Sequence, residues 1–422
     1  MNKELFDYIK ACPTPYHAVA HTAKLLEDAG FVGLCEADEW DLSAGKQYYV
    51  TRNGSSLIAF RLPEKSSSGF MMTAAHCDSP CFKIKENASL SDGKYVRLSV
   101  EKYGGMLCSS WMDRPLSIAG RVIVRTEDGI ESKLVDLADA NAVIPNVAIH
   151  MNRNANDSMS YNPAVDMLPL YSASDDLIDK IAACAGICKG NIMSTDLFLY
   201  IPQDGVEWNG YISAPRLDDL QCAFGALNAL INSKQSSCVQ VFCLFDNEEI
   251  GSQTKQGAAS TFLFDVLTRI NGKDAESYRR SIANSFLISC DNAHAVHPNH
   301  GEYADKNHSV YMNEGIVIKY NANQKYTSDA VSSAIFKLVC QQCGVPFQMY
   351  ANRADMAGGS TLGNIANTQV SLNTVDIGLP QLAMHSAFET AGAADTQYLV
   401  TALTAFYEKS LKMLNDGNYI LD

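Results

Sequence analysis

Side chains able to hold a metal recur at one kind of place in this 422-residue chain, directly after short apolar runs. His76 and Asp78 follow Gly69–Ala75; Asp246, Glu248 and Glu249 follow Val239–Phe245; Asp291, His294 and His297 follow Ser285–Cys290. Asp218 and Asp219 open an apolar-periodic stretch after Pro215-Arg216-Leu217, and His385 comes after the turn Gly378-Leu379-Pro380. Imidazole and carboxylate groups drawn from separate segments suit a divalent cation, and an excess of carboxylates suits two cations sharing a bridging ligand. Adjacent side chains point in different directions, so in Glu248-Glu249 one carboxylate can bind metal while its neighbour stays free as a base. That division suits hydrolysis: a metal-bound water needs a carboxylate to take its proton and pass it to a leaving amine. Asp78, two residues after His76, is placed to orient the imidazole.

Each piece has a plainer reading. A lone His at a strand end is commonly a hydrogen-bonded structural residue, and Asp218 alone reads as a helix N-cap. Asp246 to Glu249 could be a solvated acidic turn, and Asp291 with its histidines a turn helped by Pro298. Their joint placement at the ends of elements favours the metal reading, because ligands of open α/β sheets collect outside the carboxyl ends of strands.

The elements that must position these groups follow from pattern. Two short helices open the chain, the second over Ala18–Ala29 and stopped by Gly30. The apolar runs ending at His76, Asp246 and Asp291 are too short for typical helices and predict buried strands, extended by Ile316–Tyr320, Val345–Tyr350 and Gln369–Val375. Helical periodicity appears over Leu220–Leu230 and over Ala330–Cys343, with Ser328 as its expected cap. Strand and helix alternate, so the expected class is α/β with a central, mostly parallel sheet flanked by helices. From residue 90 to 205 the pattern changes to alternating segments, including a hairpin turning at Asp128-Gly129, a helix between Ser174 and Gly190 and a strand over Asp196–Ile201. This predicts a β-rich unit inserted at 90–205 between two segments, 1–89 and 206–422, of the α/β unit.

Composition narrows the partners. With 33 Lys+Arg against 47 Asp+Glu, the formal charge of −14 disfavours nucleic acid and anionic lipid. No uncharged apolar run of about 18 residues occurs, so no spanning helix and no membrane partner is expected. Lys3, Glu4 and Asp7 break any signal-peptide core, which points to a cytoplasmic protein. The 13 cysteines are odd in number and scattered, which reads as reduced thiols. Cys340 and Cys343 form a lone CxxC with no second pair to complete a four-thiolate site.

At these residues the sequence resembles the aspartyl aminopeptidase family of dinuclear metallo-exopeptidases, in a bacterial-type form. The likeness is carried by AHCDSP at 75–80, PRLDDL at 215–220, FDNEEIGS at 245–252, DNAHAVHPN at 291–299, GGSTLG at 358–363 and DIGLPQLAMHS at 376–386. The resemblance implies two divalent ions per subunit, zinc with cobalt or manganese as substitutes. It makes His76 and Glu249 ligands of one, Asp291 and His385 ligands of the other, Asp218 the bridge and Glu248 the general base. It further implies that the inserted unit serves dimerisation, that dimers assemble into a homododecamer, and that His150 is lent to a neighbouring subunit's site. Lys319, in IVIKYNANQKY, resembles a lysine that reads an acidic first side chain, with a surface lysine as the alternative; His294 resembles a further substrate contact. Cys77, Cys290 and RADMAGGS at 353–360 depart from the animal-type pattern, which leaves the preference for N-terminal Asp or Glu open.

The resulting expectation is a metal-dependent aminopeptidase that removes the N-terminal residue of peptides. A non-catalytic self-assembling or cargo protein on the same scaffold is one alternative. A two-metal hydrolase of acylated amino acids is the other.

Overall fold

A computed structural model describes residues 1–65, 67–272 and 274–422. Its largest sheet has nine strands in the order Val32–Leu34, Gln47–Arg52, Ser56–Arg61, Val239–Phe245, Phe70–His76, Phe286–Cys290, Asn373–Gly378, Ile316–Tyr320 and Phe347–Ala351. Five of its eight pairings are parallel. The fold is therefore the expected α/β class.

The middle strands are buried along their whole length, as a sheet covered on both faces requires. Alternate residues serve opposite cores. Met71, Ala75, Phe242, Leu244 and Ile288 pack with Leu220, Leu227 and Phe406 on one face. Met72, Ala74, Val241, Cys243 and Leu287 pack with Phe262, Leu263 and Leu362 on the other. This period of two is the strand signature that the apolar runs alone left implicit. The helix Leu217–Asn232 lies against the strand Phe70–His76 and the helix Asp395–Tyr407.

A six-stranded antiparallel sheet is built entirely within 81–200, from Ile130–Asp136, Ser117–Arg125, Ile192–Tyr200, Cys81–Ser91, Val96–Tyr103 and Leu170–Ser172. It has its own core around Phe82, Leu98, Ile118 and Leu197. The hairpin at Asp128-Gly129 is present, joining Ser117–Arg125 to Ile130–Asp136. A third sheet of five short strands includes Tyr211–Ala214, Pro380–Leu382, Glu389–Gly392 and Ala293–His294.

Several local expectations are corrected. The helix placed between Ser174 and Gly190 runs only over Leu177–Ala185, because Asp176 accepts from the Ile178 amide and Gly186 adopts the left-handed conformation that ends it. Ser328 is not the cap of Ala330–Cys343: Asp329 is, in a capping box with Ser332. The Ser328 hydroxyl instead accepts from the Asp376 amide. The strand expected over Gln369–Val375 begins at Asn373, residues 367–369 forming a turn after the helix Leu362–Ala366. All 13 cysteines are free, Cys340 buried and Cys343 half-buried. No described helix is long and apolar enough to cross a membrane.

Candidate metal centre

The three strands that precede the candidate ligands lie side by side and parallel, Val239–Phe245 and Phe286–Cys290 flanking Phe70–His76. In register, Phe245 is level with His76 and Ser289 with Ala74. Their carboxyl ends therefore emerge together, and three segments far apart along the chain deliver His76, Glu248 and Asp291 to one cavity of about 320 Å³. Asp218, His385, His294 and Lys319 line the same cavity.

Asp218 does not cap its helix. Arg216 occupies the N-cap position with a left-handed backbone (φ 57°), and Asp218 has non-helical angles. Its carboxylate points outward to two histidines, Oδ1 lying 3.6 Å from His76 Nε2 and Oδ2 3.3 Å from His385 Nε2. Glu249 Oε1 lies 3.3 Å from the same His385 nitrogen. Ligand atoms of His76, Asp218 and Glu249 fall within 4.8 Å of one another. His385 therefore lies beside both Asp218 and Glu249.

Both imidazoles are aimed. His76 Nδ1 donates to the Asp78 carbonyl (3.0 Å), and His385 Nδ1 donates to the Gly105 carbonyl (2.6 Å). In each ring Nε2 is thereby left facing Asp218, the arrangement that fixes a metal-binding tautomer. The buried Asp78 carboxylate accepts from the amides of Glu248 and Glu249, both at 3.1 Å, and from the Tyr103 hydroxyl at 2.7 Å. Backbone strain gathers here as well. Asn247 (φ 64°) and His385 (φ 66°) adopt left-handed conformations that non-glycine residues rarely take. Gly378 is required for space, since a Cβ there would strike the Asp291 carbonyl.

Burial leaves Asp218 Oδ1 and Glu249 Oε1 without a hydrogen-bond donor. Unpaired buried carboxylate oxygens are costly, and a cation is the simplest group that satisfies several at once. The nitrogen and oxygen donor set fits zinc and its divalent neighbours. Without a cation, protons serve instead. Although burial opposes it, the facing carboxylates of Asp218 and Asp78 raise the His76 imidazole well above its ordinary value, and Asp218 lifts His385 to about 8. Burial and the surrounding carboxylates push Glu248 up to about 8, and burial with Asp78 pushes Asp246 up to about 7.

These shifts give a stability prediction for chelated protein. Asp246, Glu248 and His385 all bind protons more tightly folded than unfolded, so between pH about 6.5 and 8 the folded state holds more protons and loses stability as pH rises. Bound cations would replace those protons. Melting of chelated protein should shift downward from pH 6.5 to 8.5, much more than that of metal-loaded protein; a flat or rising midpoint for the chelated form would contradict the arrangement.

The remaining residues divide. Lys319 is buried at 3% exposure, which removes the surface alternative. Its Nζ donates to the Asn292 carbonyl (2.8 Å) and lies 3.4 Å from Asp291 Oδ1. Burial works against its charge, but the Asp291 carboxylate keeps it protonated. The His294 ring meets Tyr350 edge-on at 6.5 Å. His150 is exposed in a turn and His297 is exposed beside His300; neither lines the cavity. Two residues had escaped notice. Glu389, fully buried, accepts from the amides of Asp218 (3.0 Å) and His385 (2.7 Å), tying those segments together, and Tyr103 supports Asp78. Neither terminates an apolar run, so no local signal marked them.

The family described as "Aminopeptidase I zinc metalloprotease (M18)" matches residues 8–407. A probable M18 family aminopeptidase 2 of Clostridium acetobutylicum is 45% identical over 423 residues, covering 96% of this chain and 98% of that protein. One from Pseudomonas aeruginosa is 43% identical over 425 residues, covering 97% and 98%. Among solved structures, a chain of the Ape4 and Nbr1 complex superposes with a TM-score of 0.93 at 36% identity, covering 96% of this chain and 85% of that one. The S. cerevesiae mApe1 dodecamer gives 0.83 at 29%, covering 96% and 95%. With the match spanning both the strand ends that carry the acidic cluster and the sheet set between them, the chain belongs to the M18 family of zinc metallo-aminopeptidases.

Proposed function

We propose that the chain hydrolyses the N-terminal residue of peptides at a two-cation centre bridged by Asp218. The observation that carries this is the Asp218 carboxylate, which presents one oxygen to His76 and the other to His385 with the unpaired Glu249 oxygen beside it. His76, Glu249, Asp291 and His385 would hold the two ions, with Asp218 shared between them. Asp291 lines the same cavity. Bound divalent ions supply Lewis acidity, polarising the scissile carbonyl and lowering the pKa of the attacking water.

Glu248 is the base in this reading. It lines the cavity while its neighbour Glu249 turns toward His385, so its carboxylate is free to take the proton of the attacking water and give it to the leaving amine. Asp78 anchors the turn carrying both glutamates through their amides and holds the His76 ring at the same time.

Lys319 and His294, on the cavity wall with Tyr326, Tyr350 and Thr361, are placed to meet the first side chain. The Lys319 ammonium is shared with Asp291, so an acidic side chain would compete with a carboxylate for it. Selectivity for Asp or Glu then depends on Lys319 and should be modest. The residues 90–205 act as the assembly unit of a homododecamer built from dimers. Within it His150, exposed in a turn, is contributed to the site of a neighbouring subunit.

A panel of aminoacyl substrates, run after chelation with zinc, cobalt or manganese added back, tests the reading as a whole. Cleavage should vanish on chelation and return with metal. Lys319→Ala should lose about tenfold more kcat/KM on aspartyl and glutamyl than on leucyl substrates, corresponding to about 1.4 kcal/mol; equal losses would remove the charge-reading role. His150→Ala in the same panel should lower turnover with metal content unchanged. Turnover confined to acylated amino acids would replace the peptide substrate, and metal binding without any turnover would leave a self-assembling scaffold.

A further inference from the structure

The antiparallel six-stranded sheet reaches the metal centre through one short stretch. Its strand Val96–Tyr103 runs into residues 104–110, and from Tyr103 onward this stretch touches three segments bearing candidate ligands. Tyr103 donates to Asp78 Oδ2 at 2.7 Å, onto the carboxylate that also receives the Glu248 and Glu249 amides. Gly104 passes so close to Glu249 that a Cβ would sit 3.1 Å from the Glu249 Cβ, with a φ of +75° that disfavours a side chain in any case. The Gly105 carbonyl accepts from His385 Nδ1 at 2.6 Å. Further on, the Leu107 amide donates to the His385 carbonyl (3.0 Å), and Ser110 Oγ accepts from the Ala387 amide (2.9 Å).

We propose that residues 103–110 are a positioning strap through which the six-stranded sheet sets the metal affinity of the centre, with the Tyr103 hydroxyl as its principal contact. The proposal rests on the two-cation reading given above. Its physical basis is the number of degrees of freedom that the strap removes. The ligand arms begin on the nine-stranded sheet, on the helix Leu217–Asn232 and in the loop before Glu389–Gly392. Among the described residues, no strand pairing joins the turn holding Glu248 and Glu249 to the loop holding His385. The strap meets both, and it fixes the ring of His385 through the nitrogen that does not face Asp218. Outer hydrogen bonds of this kind orient ligands, and their loss weakens metal binding by about 10–100-fold.

The ring of Tyr103 also packs edge-on against Phe198, with centroids 5.8 Å apart, so packing and hydrogen bonding can be separated by mutation. Tyr103→Phe keeps the ring and removes only the hydroxyl, whereas Phe198→Leu disturbs the packing and leaves the hydroxyl on Asp78. Zinc affinity should be measured by competition with a chromophoric chelator on the full chain, alongside melting of the zinc-saturated protein. Tyr103→Phe should bind zinc about 10–100-fold more weakly with a near-unchanged zinc-saturated melting midpoint, and Phe198→Leu should bind it as the native chain does. Affinity within twofold of native for Tyr103→Phe, or an equal loss in Phe198→Leu, overturns the strap. Should Tyr103→Phe fail to fold, Gly104→Ala reads the link from the Glu249 side: weaker zinc binding supports it and native affinity overturns it. Failure of the native chain itself to bind zinc would instead count against the two-cation reading.

Discussion

Glu248→Gln should lower kcat by about 10²- to 10⁴-fold, the range that a positioned acid–base group supplies. At 1.36 kcal/mol per factor of ten this is a barrier rise of about 3–5 kcal/mol. The amide matches the carboxylate in shape, keeps the hydrogen bond from its own backbone amide to Asp78 and cannot accept and return a proton. Metal content should therefore stay at the native level while turnover falls, and KM should change little. Burial and the neighbouring acids raise this carboxyl to about 8 in metal-free protein, and cations beside Asp218 and Asp291 would bring it down toward its working range. Metal analysis and steady-state kinetics on the same preparation check both halves. Loss of metal together with activity would make Glu248 a ligand, and retention of native turnover would remove it as the base.

Asp218→Asn should have the broadest effect of any single substitution. One carboxylate faces both histidines, so on the two-cation reading proposed above its neutralisation should weaken both positions at once. The expected loss of metal affinity exceeds the ~100-fold upper range of outer-contact losses, because a direct, shared, charged ligand is removed. Metal-free protein should suffer too. Asp218 lies well below the ordinary carboxylate range because, against the pull of burial, the imidazoles of His385 and His76 face it. Taking one member from such a buried ionic group costs about 3–5 kcal/mol, since the others are left charged and unpaired. Dialysed Asp218→Asn should thus carry less than the native metal complement, melt earlier and show no measurable peptide cleavage. A native metal complement in this variant would exclude Asp218 as the bridge.

The two substitutions differ because their carboxylates sit in different surroundings. Asp218 is held by two imidazoles and leads a helix whose cap position was taken by Arg216. Glu248 protrudes from a short turn anchored by Asp78 and has no cationic neighbour within salt-bridge distance among the described residues. Sequence alone ranks them alike, as acids next to acids.

What could be read from the sequence was whatever depends on local order along the chain. A buried strand announces itself as an uninterrupted apolar run, and its carboxyl end as the first polar residues after it. Hence His76, Glu248, Glu249 and Asp291 were visible, together with the α/β class and the Asp128-Gly129 hairpin. Helix ends were less legible, because Ser174 and Asp176, or Ser328 and Asp329, are capping residues of similar strength and only the hydrogen bond made decides between them.

Tertiary structure decided the rest. Which oxygen of Asp218 faces which histidine, that Glu249 sits beside His385, and that Lys319 is buried against Asp291 depend on packing among segments whose separation along the chain carries no geometric information. Glu389 and Tyr103 belong to the same class. They act on backbone amides and on a carboxylate through single hydrogen bonds, and such contacts leave no periodicity or motif in the order of residues. The sequence by itself determined the strand ends and the candidate donors that follow them, because hydrophobic burial is patterned residue by residue. Their mutual aim came only with the fold, because direction in space is set by three sheets meeting at one place.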